Sequence, residues 1–98
     1  MMPSFEGVLS IFLDYMAEDR AFEVNRTGHG YLCLAYDSRR REWYPVRLCA
    51  TPGALADTLL DAYGKYLIHQ LCRGERDLTP DEEQSVRSQV ALRRELLR

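Results

Sequence analysis

Lysine is nearly absent from this 98-residue chain: Lys65 stands alone against twelve arginines. Thirteen basic and fifteen acidic residues give a formal net charge of -2. The molecule therefore has no overall positive field to draw in nucleic acid or an anionic membrane, and any such contact must come from a local patch. Cysteine is scarce too. Cys33, Cys49 and Cys72 are odd in number and widely spaced, which excludes the disulfide framework of a small secreted domain and points to a reducing, cytoplasmic setting. Long apolar runs are missing: the stretch from Phe5 to Met16 is interrupted by Glu6 and Asp14 and has no basic residue before it. It matches neither a secretory signal nor a membrane span. What remains is the composition of a folded globule, 46% hydrophobic, 10% aromatic and 29% charged. That length supports one core and not two, so a single α+β domain over 1–98 is expected.

Helical spacing of Phe5, Val8, Leu9, Phe12, Leu13 and Met16 predicts one helix over 4–18, with Ser4 as its cap. From Ala21 to Ala50 the period changes to two, and turn residues at Thr27-Gly28-His29-Gly30 and at Asp37-Ser38-Arg39-Arg40-Arg41 divide the segment into a three-stranded antiparallel meander. Pairing Leu32 with Val46 and Leu34 with Tyr44 would gather Phe22, Val24, Leu32, Leu34, Tyr36, Tyr44, Val46 and Leu48 on the core face. Pro45, which has no amide hydrogen, marks the third strand as an edge. Thr51-Pro52 opens a helix to about Cys72, ended by Arg73-Gly74. Thr79 and Glu82 form a capping box for a last helix over 80–97, whose seam of Val86, Val90 and Leu97 is too thin to stand in solvent. The expected order is α-β-β-β-α-α, with helices packed on one face of the sheet, a core in 4–72, and the last helix as a candidate interaction arm, docked in cis or in trans.

The order helix, three-strand meander, helix over residues 4–72 is similar to that of double-stranded-RNA-binding domains. The resemblance lies in the order of elements alone. That family holds phosphates with lysines in the first turn of its second helix. Here Pro52-Gly53-Ala54-Leu55-Ala56-Asp57 offers no cation, and no functional residue is carried over.

Few groups carry chemistry. Arg39, Arg40 and Arg41 beside Trp43 are the one dense basic cluster with aromatics, suited to phosphates and stacked bases, although Asp37 and Glu42 nearly cancel its charge. Arg87, Arg93, Arg94 and Arg98 read as i to i+4 partners of the glutamates on the last helix. His29, Cys33, Cys49, His69 and Cys72 are zinc-ligand types, and His29 across from Cys49 on the exposed face is the sole pairing the register offers. Packed, inert cysteines are the simpler reading. No nucleophile elbow, phosphate loop or placed carboxylate pair is present, so no enzymatic activity, cofactor, metal or small-molecule substrate is expected.

In this register Tyr31, Cys33, Ala35 and Trp43 share the face opposite the helices, leaving aromatics uncovered. The expectation is a small protein-protein interaction module, whether homodimer, subunit, adaptor or inhibitor. Tyr31 and Trp43 would anchor one surface, and Val86, Val90 and Leu97 the other. The alternative is a nucleic-acid-associated regulator that binds through the Arg39–Arg41 hairpin and Trp43.

Overall fold

Ser4 opens the first helix as its sequence implies, its hydroxyl accepting from the Gly7 amide at 3.0 Å. The structure, a computed structural model, describes residues 4–97. Of the expected 1–98 unit, residues 1–3 and 98, and with them Arg98 of the basic cluster, lie outside the described residues. The element order is α1 (Phe5–Ile11), α2 (Leu13–Glu18), β1 (Phe22–Thr27), β2 (Gly30–Asp37), β3 (Glu42–Cys49), α3 (Pro52–Cys72) and α4 (Pro80–Leu96). The expected α+β architecture is present, with one departure in its elements. The single helix expected over 4–18 is broken at Phe12, whose backbone (φ -105°, ψ 11°) leaves the helical region. Val8, Phe12 and Tyr15 enter the core while Leu13 turns out to solvent, 65% exposed.

α3 starts and stops as expected, with the Thr51 hydroxyl accepting from Ala54 and Arg73 adopting the left-handed conformation that closes it. α4 carries both halves of its capping box, Thr79 Oγ1 accepting from the Glu82 amide and Glu82 accepting from the Thr79 amide. It packs in cis against α3: Val86 is buried, and Val90 and Leu97 lie against the core.

The sheet is an open antiparallel meander, β1-β2-β3, with β3 at an edge as Pro45 implies. Its register corrects the expected one. β1 and β2 turn through Gly28-His29, which pairs Val24 with Cys33 and Phe22 with Ala35. Between β2 and β3, Leu34 pairs with Pro45, Leu32 with Leu48 and Cys33 with Arg47, leaving Val46 as the extra residue of a bulge. Side chains alternate across a strand. Phe22, Val24, Tyr31, Cys33, Ala35, Tyr44 and Cys49 therefore face the helices, while Leu32, Leu34, Tyr36, Trp43, Pro45 and Leu48 face away. Tyr31 thus leaves the open surface assigned to it, and its ring packs on Phe5 with centroids 5.0 Å apart.

Size complementarity explains the choice of face. Helices α1 and α2 project Phe5, Phe12 and Tyr15, which need small partners beneath them. Cys33 and Cys49, both wholly buried, supply that room. Tyr15 fills the centre, within 5.5 Å of the Tyr63 ring and 6.2 Å of Phe22. Its hydroxyl donates to Asp19 at 2.6 Å, and burial, with that carboxylate beside it, holds the phenol protonated far above its ordinary range.

Candidate functional site: the open sheet face and the edge strand

The helices cover one side of the sheet, so the other side meets solvent. Its apolar part lies on β2 and β3: Leu32 and Leu34 half-buried by their neighbours, Tyr36 and Trp43 stacked edge to face at 5.3 Å, and Leu48 about half exposed. On β1 the same side presents Glu23, Asn25 and Thr27, so apolar surface gives way to polar surface across the sheet. No charged residue interrupts the patch itself. Trp43 keeps the exposed position read from the sequence, but it stands across from Tyr36, with Leu34 the next residue of β2 on the same side, in place of Tyr31, Cys33 and Ala35.

β3 is exposed on both sides, every residue from Glu42 to Leu48 being open to solvent. On the helix side it diverges from α3 toward the Arg39–Arg41 hairpin, leaving a groove of about 880 Å³ bordered by Phe22, Tyr44, Val46, Asp61, Tyr66 and His69. The free edge of β3 is blunted. The Tyr36 amide donates to Ala21, which turns Leu34, two residues earlier, toward β1 as well. Its partner Pro45 then faces the open edge, where its missing donor spoils strand addition.

The other candidates are dispersed or structural. Arg39, Arg40 and Arg41 are exposed at the hairpin tip; Asp37 accepts from the amides of Arg39 and Arg40, and Arg40 lies 4.0 Å from Glu42. Arg87 pairs with Glu83 within its helix as expected. Arg93 does not: it crosses to Asp14, where both guanidinium ends bond the carboxylate at 2.7 and 2.6 Å. The Arg93 side chain also donates to the Ile11 carbonyl at 2.5 Å and stacks on Tyr63, 4.6 Å from the ring centre. The hydrogen bonds from Arg93 hold the Asp14 carboxyl down to about 2.

Cys33 and Cys49 bring their sulfurs to 3.9 Å in the core, with Thr58 Oγ1 3.5 Å from Cys49. Burial and the second thiol push Cys33 up to about 12, so it stays protonated and unreactive. Cys49 pairs with Tyr31 and faces inward, while His29 is exposed, so the expected His29–Cys49 pairing does not form. Among the described residues no group of three metal-ligating side chains converges, and no helix is long and apolar enough to cross a membrane. The seam residues Val86, Val90 and Leu97 are spent on docking α4, and the helix exposes Leu92 and Leu96 instead. The sequence signal for this reassignment was the width of the stripe: Leu92 and Leu96 repeat at i, i+4 outside the seam.

Comparisons with protein-family models, with curated proteins and with solved structures find no match to this chain.

Proposed function

We propose that this chain is a non-enzymatic interaction module that works by contact through the open side of its sheet, with Trp43 as the anchor at the hairpin end of the surface. The observation that carries the reading is the contiguous uncharged patch of Leu32, Leu34, Tyr36, Trp43 and Leu48, on a face that none of the described elements covers. Patches of this kind on small folded chains mark contact sites, and Trp and Tyr are the residues that most often dominate their energetics.

The size of the molecule supports the same reading. A folded monomer of 11.4 kDa exposes about 5,800 Å², whereas this chain exposes 7082 Å². Its radius of gyration of 14.0 Å exceeds the value of about 12.6 Å for a compact chain of this length. Extents of 40 × 36 × 18 Å describe a plate two layers thick.

Trp43 is the sole tryptophan, so a fluorine-labelled tryptophan reports on this face alone. In dilute purified protein its resonance should be that of a partly solvated indole. In concentrated lysate of the source cell, or in concentrated pure protein, it should shift and broaden, and Leu34→Lys in the labelled chain should abolish the change. An unchanged resonance under all these conditions would refute the proposal.

A further inference from the structure

We infer that Cys33 and Cys49 are a reversible redox pair, forming a disulfide on the helix side of the sheet that fastens the edge strand β3 to β2. The inference goes beyond the contact reading and is independent of it, since it holds whatever meets the open side.

The strand register sets the pair up. Cys49 stands across from Tyr31, and Cys33 lies two residues further along β2, so the two are diagonal neighbours facing the helices. Their sulfurs are in contact at 3.9 Å. A disulfide needs a further approach of about 1.9 Å. Gly30, at the start of β2, helps to hold the contact: a side chain there would strike the Cys49 carbonyl oxygen, and the hydrogen in its place lets the end of β3 lie close against β2. Cys72, at the end of α3, has no sulfur in contact among the described residues.

The remaining approach falls where the sheet can give. β3 is an edge strand exposed from Glu42 to Leu48, and the bulge at Val46 sits beside Cys33. An extra residue near one cysteine and a free edge leading to the other supply the slack.

In the closed fold both thiols are wholly buried, and burial with the second thiol outweighs the Arg47 guanidinium to keep Cys33 protonated. Reaction therefore proceeds through opening of the edge strand, whose last residue is Cys49. The groove leads to the same place. Thr58 borders it and lies 3.5 Å from Cys49 Sγ, so a small oxidant in the groove is one side chain away from that sulfur.

A peroxide supplies the oxidant. Cys49 sulfur takes one peroxide oxygen as the O–O bond breaks, giving a sulfenic acid, and the thiol proton leaves in the first water. Cys33 sulfur then attacks Cys49 sulfur. The S–S bond forms, the S–O bond breaks, and the hydroxyl leaves with the Cys33 proton as the second water. Two electrons pass from the sulfurs to the peroxide.

Intact mass spectrometry of the full folded chain after treatment with hydrogen peroxide tests the pair. The mass should fall by two hydrogens, peptide mapping should join Cys33 to Cys49, and only Cys72 should alkylate in denaturant. Dithiothreitol should restore all three thiols. Circular dichroism should stay native throughout, and Cys33→Ala or Cys49→Ala, which remove a sulfur without adding bulk, should each lose the bridge. Mapping of the parent chain decides the matter even where a variant fails to fold. Three free thiols after treatment, stable addition of oxygen at Cys33 or Cys49, a bridge through Cys72, or a bridge that appears only above the urea midpoint would each overturn the inference.

Discussion

Arg93→Ala should lower the unfolding free energy by about 3 kcal/mol, the sum expected when a charged donor leaves a carboxylate, a carbonyl and an aromatic face together. The reason lies in where the guanidinium sits. α1 and α2 are short, 7 and 6 residues, and neither would persist alone. Their junction at Phe12 exposes a carbonyl, Ile11 O, which Arg93 fills. The same side chain clamps Asp14 at the first turn of α2 and lies against Tyr63 of α3 and Phe12. One residue of α4 therefore ties three other helices together.

Arg93→Lys should recover only a minor part of the loss, because an ammonium cannot bond both carboxylate oxygens in parallel while lying flat on the ring. Acid titration separates the electrostatic component. Asp14 ordinarily titrates at 3.8 and is held at about 2 in the folded chain. Its contribution is therefore fully present above about pH 4 and is lost as the pH falls toward 2. Glu82, held down to about 2 by Arg76, adds loss over the same window. Urea midpoints measured from pH 6 down to pH 2 should fall in the parent chain. The slope should be shallower in Arg93→Ala, where the Asp14 share is already gone. Equal slopes would contradict the assignment.

Phe12→Ala should cost more, about 4 kcal/mol, since it removes a wholly buried ring that touches Tyr63 edge-on at 6.3 Å and opens a cavity under the helix break. A chain of this length has about 5–15 kcal/mol to lose, so the variant should stay mostly folded in water but unfold at a much lower urea concentration than the parent chain. Trp43→Ala removes a larger side chain but should cost the dilute monomer only about 1–2 kcal/mol, because the indole is 41% exposed and faces away from the core. The contrast between the two aromatics is the energetic form of the claim that only one face of the sheet is internal. Equal losses would place Trp43 in the core.

Much of this architecture can be read from local chemistry. Both long helices begin at Thr-Pro pairs whose hydroxyls cap them, and Pro45 announced its edge. The facing of the strands was missed, although the signal was present. An even-numbered turn between β1 and β2 pairs even-numbered residues with odd ones, so Val24 must meet Cys33 and cannot share a face with Leu32. Apolar alternation alone favoured the larger side chains, and Leu32, Leu34 and Tyr36 were therefore placed inward. The bulge at Val46 then shifted β3 by one residue, which no periodicity shows.

The role of Arg93 was not legible for a different reason. Its partners lie 79 and 82 positions away, at Asp14 and Ile11, and nothing near it in the chain distinguishes it from Arg94. The candidate surface was legible only in kind. Trp43 was recognised as an exposed anchor, but its companions come from the strand face first assigned to the core.

Acrylamide quenching of Trp43 at a concentration where the chain is demonstrably monomeric tests the central claim most directly. The account predicts emission and quenching between those of a buried and a free indole, as expected for a ring that is 41% exposed and packed on Tyr36. Blue-shifted emission with strong protection in the dilute monomer would show that the chain covers both faces of its own sheet, and would contradict it.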